Sequence, residues 1–190
     1  MRIDVYDFDG TIYDGDSTVD FVAFALRRHP AVLLGLPRVI CAAARLAVKR
    51  ATLTQFKSVL FGEMSRRFSL TEEADAFWKS ERTRRRLGEW FAHTPRDLPV
   101  VVASASPEFE LAHAAKLLGV THLIGTQCDM RTGALIGPNC KGARKIERIR
   151  ELLGEFEVRA MYTDDARADG PLLDVAQEKY IVKHGAVRRI

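Results

Sequence analysis

Two apolar, strand-like segments stand nearly a hundred residues apart with no strand pattern between them, and this gap constrains the fold more than any other feature. The first is Arg2-Ile-Asp-Val-Tyr-Asp-Phe8, predicted as a strand over 2–8 that runs into the turn Asp9-Gly10-Thr11. The second is Pro99-Val-Val-Val-Ala-Ser104, a short continuous apolar run of the kind found in strands buried on both faces. From Ser17 to Arg86 apolar residues recur instead at helical spacing, as in Phe21, Phe24 and Ala25 and in Phe56, Val59 and Leu60, with Pro30 and Pro37 as breaks. After Ser104 strands and helices alternate. A helix is predicted over 107–118, a strand from His122 and a hairpin around Thr132-Gly133. A helix over 141–153 follows, then a strand over 158–163, a short helix over 171–176 and a last strand at Tyr180. Alternation of this kind predicts an α/β fold with a Rossmann-like, three-layer parallel sheet. The helical block would be a small inserted cap: residues 1–16 and 87–190 form the core and 17–86 the cap.

Four segments carry chemistry. In Asp7-Phe-Asp-Gly-Thr11 two carboxylates lie two residues apart at the carboxyl end of a buried strand. Their repulsion calls for a proton or a cation, and Mg²⁺ suits one or two carboxylates plus a phosphate. Ala103-Ser-Ala-Ser106 follows the second strand directly, where a hydroxyl and backbone N–H groups meet a phosphate oxygen. Ser106 is equally placed to cap the next helix, ahead of Pro107. Lys141 and Lys145 lie four apart, on one face of the helix over 141–153. Asp164, Asp165 and Asp169 follow the strand over 158–163 and suit the outer side of a metal site.

In this order the segments resemble the haloacid dehalogenase superfamily over nearly the whole chain, and the large helical insertion resembles its phosphoserine phosphatase branch. The resemblance implies a Mg²⁺-dependent phosphomonoesterase acting on a small phosphorylated metabolite through an aspartyl-phosphate. It makes Asp7 the nucleophile and Asp9 the general acid and base, with the Asp9 carbonyl on the metal. Thr11 braces the loop and joins Ser104 and a lysine at the phosphate. Lys141 fits the phosphoserine phosphatase register and Lys145 a related Cys-x-Gly-x-x-Lys pattern. Asp164 and Asp165 both satisfy the spacing of a metal ligand ahead of Asp169, and Asp165 is favoured by the following x-Pro-Leu-Leu. Asp16 matches an acidic substrate-binding position that is typically Glu in that branch, and it equally suits a helix N-cap. No one arginine among Arg27, Arg28, Arg38 and Arg45 stands out as a partner for a substrate carboxylate.

The net charge of +4 is mild, and the basic run Arg82 to Arg86 lacks interleaved aromatics, so no nucleic-acid partner is expected. Three widely spaced cysteines without C-x-x-C indicate neither disulfides nor zinc, and a reducing, cytoplasmic setting is expected. The apolar stretch 31–48 is interrupted by Pro37, Arg38 and Arg45. It is read as soluble helices with peripheral membrane contact left open rather than stable insertion. Some relatives in the same branch act on phospholipid headgroups, as the phosphatidylglycerophosphatase type does, and this is one alternative. A non-catalytic phosphate-binding regulator is the other, opposed by the presence of Asp7 and Asp9.

Overall fold

The computed structural model describes all residues, 1–190. Strand β1 (Arg2–Tyr6) is followed by helices α1 (Ser17–Arg28), α2 (Leu36–Ala47), α3 (Leu53–Ser65), α4 (Leu70–Lys79), α5 (Glu81–Arg84) and α6 (Glu89–His93). A 3₁₀ helix, Pro30–Gly35, leads directly into α2. Then come β2 (Val100–Pro107), α7 (Glu108–Leu117), β3 (His122–Cys128), β4 (Leu135–Ile136) and α8 (Ala143–Leu153). The chain ends with β5 (Glu157–Thr163), α9 (Gly170–Val175), β6 (Ala176–Lys183) and β7 (Ala186–Arg189).

The seven strands form one sheet in the order β4-β3-β2-β1-β5-β6-β7. Pairing is parallel from β3 to β6, and the edge strands β4 and β7 run antiparallel. The chain builds outward from β1 through β2 and β3 on one side, then returns to add β5 and β6 on the other. β1 is therefore the topological switch point, where open α/β sheets form a crevice beyond the strand ends. The α/β expectation holds. β1 stops at Tyr6 rather than residue 8, which leaves Asp7 and Asp9 in the turn that follows, and a separate short helix, α6, follows the predicted helical block. Strand β7 has no counterpart in the sequence reading: its residues are exposed and it is held by backbone pairing to β6.

Each face of the sheet has its own core. One contains Ile3, Val5, Val101 and Met161 under Ile149 of α8 and Leu172 of α9. The other contains Tyr6, Val102 and Leu111 together with Phe21, Phe61, Phe77 and Trp78 from the helical insertion. The insertion thus shares a continuous core with the sheet through α1 and α4. Tyr6, Tyr162 and Tyr180 stand in register on β1, β5 and β6 and stack at 4.5 Å between successive centroids. Aromatic pairs of this kind add to strand pairing beyond their buried area.

Candidate active site

The carboxyl ends of β1, β2 and β5 open into a cavity of about 640 Å³. Asp7, Asp9, Asp16, Ser104, Lys141, Lys145, Asp164, Asp165 and Asp169 all line it, so nine of the ten residues singled out by sequence meet in one place. The tenth, Thr11, lies behind it. Thr11 is buried, and its hydroxyl accepts from the backbone N–H of Asp164 at 2.8 Å, which ties the β1 turn to the β5 turn. Its oxygen is thereby used within the protein, which suits the bracing role more than contact with phosphate.

Lys145 is only 3% exposed, and its Nζ stands 2.7 Å from both Asp7 Oδ1 and Asp169 Oδ1. Asp169 is buried too and accepts from the Thr163 hydroxyl at 2.8 Å. Burial alone would lower the lysine, but the two carboxylates outweigh it and hold the ammonium charged. Burial pushes Asp7 up to about 7, with Lys145 opposing the shift and Asp169 and Asp9 adding to it. Lys141, by contrast, is exposed and precedes the first turn of α8. The two lysines share a face only if the helix begins at 141, and it begins at Ala143.

The two late aspartates also separate. Asp165 is exposed, and its Oδ1 accepts from the N–H groups of Arg167 and Ala168 at 3.0 Å each, which hold its carboxyl below the usual range. Asp164 turns inward against the β1 turn, and burial raises its pKa. Gly10 has φ +73°, a conformation that favours glycine, and a Cβ there would press on the Asp164 carboxylate. No three Asp, Glu, His or Cys side chains converge as a closed metal cage. What is present is an open pair of carboxyls, Asp7 and Asp164, both on the cavity and both raised by burial. This donor chemistry fits a hard divalent cation such as Mg²⁺ that keeps waters and substrate oxygens as its other ligands. Asp169 suits a different role, because Lys145 and Thr163 occupy its oxygens.

Asp9 is held by three donors. The N–H of Ser17, at the start of α1, reaches Oδ1 at 2.6 Å; the hydroxyls of Ser106 and Ser104 reach Oδ2 at 2.6 and 3.3 Å. Ser106, expected as the α7 cap, thus serves Asp9, and Pro107 stands at the cap position without a side-chain bond. Asp16 does cap α1, accepting from Val19 N–H at 2.9 Å.

Residues the sequence did not single out complete the site. Thr18 lies 3.1 Å from Ser106 Oγ and 2.9 Å from Glu110 Oε2, with Glu110 fully buried. The protons can be counted along this row. The two hydroxyls supply two protons for three contacts, so one of the two end carboxyls supplies the third. Burial first and Asp9 second push the pKa of Glu110 up to about 8, which makes Glu110 the end that holds the proton. Lys57 of α3 reaches the Ala105 carbonyl at 3.5 Å, and Val19, Val22, Leu53, Phe56 and Leu60 make an apolar wall above the carboxylates. One signal for Glu110 was available: it lies four residues before Ala114, on the apolar stripe of its helix.

Residues 5–174 match the family model of haloacid dehalogenase-like hydrolases. Protein CicA of Caulobacter vibrioides is 30% identical over 196 residues, which cover 92% of this chain and 82% of that protein. Among solved structures, a protein of unknown function from Bordetella pertussis Tohama I superposes with a TM-score of 0.72 at 22% identity, covering 94% of this chain and 88% of that one. A probable phosphoserine phosphatase from Vibrio cholerae superposes with a TM-score of 0.62 at 12% identity, covering 94% of this chain and 55% of that one.

Proposed function

The chain belongs to the haloacid dehalogenase-like hydrolases, and from that premise we propose that it is a Mg²⁺-dependent phosphomonoesterase working through an aspartyl-phosphate on Asp7. The observation that carries the reading is Lys145, a buried cation 2.7 Å from a carboxylate that faces a cavity at the switch point of the sheet. In the first step an Asp7 oxygen forms a bond to phosphorus as the ester P–O bond breaks, and Asp9 gives a proton to the departing oxygen. In the second, Asp9 takes a proton from water as the water oxygen attacks phosphorus. The bond to Asp7 then breaks, and inorganic phosphate and the free carboxylate are regenerated. The three donors on Asp9 fix the direction of its carboxyl toward the cavity. Lys145 orients Asp7 and meets a phosphate oxygen, Asp169 positions Lys145, and Ser104 offers a second phosphate contact. Asp7, the Asp9 carbonyl and Asp164, rather than Asp165, would hold Mg²⁺, which when bound offsets charge on the transferring group.

The helical residues 17–86 act as a cap that supplies Lys57 and the apolar wall, while 1–16 and 87–190 supply the chemistry. The unpaired cysteines fit a cytoplasmic setting. The substrate is a small phosphorylated molecule. No arginine lines the cavity, so the bidentate partner that best suits the carboxylate of phosphoserine is lacking. The apolar wall favours a second reading, a phosphate carried on an apolar body such as a phospholipid headgroup ester. Phosphate release from a panel spanning phosphoserine, sugar phosphates, nucleotides, an aryl phosphate and phosphatidylglycerophosphate, with Mg²⁺ and with EDTA, tests both. Turnover that needs Mg²⁺ and disappears in Asp7→Asn is expected. A folded protein inactive on every member would refute the reading and favour the phosphate-binding regulator.

A further inference from the structure

The segment Pro30–Ala47 has a mean hydropathy of 1.5 over 18 residues, yet only 17% of it is buried. Its inward side is narrow. Val32, Gly35 and Ala42 are buried, and Val39 and Leu46 are half-buried against the rest of the insertion. The outward side is apolar as well: Leu33 and Leu34 on the 3₁₀ helix, then Leu36, Ile40 and Val48, with Leu34 80% exposed. A helix that is apolar all round ordinarily lies inside a protein or in lipid, and contiguous exposed apolar surface marks an interaction site.

Charge identifies the occupant. Residues 21–62 contain seven Lys and Arg and no Asp or Glu, so the remainder of the chain is net acidic. Arg38 is spent on the buried Glu63, at 3.0 Å. No acidic side chain pairs with Arg45, Lys49 or Arg50, at the end of the apolar helix. A second copy seated across a two-fold axis would bring like charges together. A nucleic acid would leave the leucines in water. An anionic bilayer satisfies both features, with apolar side chains at the acyl boundary and cations at the headgroups. The arginines inside the segment favour lying in the interface over crossing it. The face also adjoins the catalytic cavity. Phe56 lines that cavity and also a groove of about 340 Å³ with Ala42 and Arg45.

We propose that the outer face of Pro30–Ala47, with Arg45, Lys49 and Arg50, docks the protein on anionic lipid membranes. The inference does not depend on catalysis, and its test reads binding alone. The full chain is sedimented with vesicles of phosphatidylcholine, with or without phosphatidylglycerol. In parallel an environment-sensitive fluorophore is attached to the exposed Cys41 in a Cys128→Ser background. Binding to the phosphatidylglycerol vesicles, weakened by salt, with a blue shift of the label, is expected. Arg45→Gln should weaken binding about fivefold, the equivalent of about 1 kcal/mol per basic residue at such a surface. Leu34→Glu should weaken it at least tenfold and leave the thermal unfolding midpoint unchanged, because Leu34 packs on nothing that unfolding exposes. No binding to anionic vesicles at low salt would overturn the proposal. So would a dimer seen by light scattering that Leu34→Glu dissociates without any vesicle binding, which would assign the face to a second copy.

Discussion

Replacing Glu110 with Gln isolates the buried proton behind Asp9. The row of Asp9, Ser106, Thr18 and Glu110 needs a proton at one carboxyl end, burial places it on Glu110, and a glutamine amide donates to Thr18 in the same place. In the folded protein the carboxyl is pushed from 4.5 to about 8, by burial first and by Asp9 second. Between these values the native state holds a proton that the unfolded chain has released. The stability that proton brings is therefore complete below pH 4.5 and is lost as the pH rises through about 8. The limiting slope is about 1.4 kcal/mol per pH unit, and the whole interval amounts to about 5 kcal/mol. Urea unfolding of wild type and Glu110→Gln in EDTA, at intervals from pH 5 to pH 8, reads this directly. The two proteins should be nearly equal in stability at pH 5, and the variant should be the more stable by several kcal/mol at pH 8. Stability curves that stay parallel across the range would refute the protonated Glu110 and the hydrogen-bond directions deduced from it.

Lys145→Met removes the one cation between Asp7 and Asp169. It should lower kcat at least a thousandfold and cost about 3–5 kcal/mol in unfolding free energy, because breaking a buried ion pair strands its partners; Lys141→Met should change neither by much. Asp164→Asn should raise the Mg²⁺ concentration needed for half-maximal phosphate release more than tenfold, whereas Asp165→Asn, whose carboxylate only closes its own turn, should move it less than threefold. Equal effects in a Mg²⁺ titration of the two variants would return the metal to the doublet as a whole.

The central strands and the Asp7–Thr11 turn were legible because strands buried on both faces read as continuous apolar runs and because carboxylates at a strand end have few inexpensive explanations. The doublets were not. Asp164 and Asp165 satisfy the same spacing, and only the packing of Asp164 on Gly10 and Thr11 tells them apart. Lys141 and Lys145 are equivalent on an ideal helix that starts at 141, and two residues of fraying make one a surface lysine and the other a buried ion. Ser106 looked like a cap because Ser before Pro usually is one. Its hydroxyl turns instead to a carboxylate 97 positions away, a contact no local pattern encodes. Strand β7 escaped because its side chains bury nothing, and backbone pairing leaves no trace in hydropathy.

The position of β1 has a consequence for how the protein comes into being. Its first partners in register are Val100 on one side and Glu157 on the other, and Thr11 is clipped to Asp164. The strand before Asp7 is thus among the last whose surroundings are completed, because both of its edges wait for segments made much later. Contacts of such long sequence separation slow folding, since the chain between them must be ordered before they reward it. A nascent chain that has not yet extended past residue 164 holds Asp7 beside an unfinished strand. The surroundings of Asp7 are therefore completed only late in synthesis.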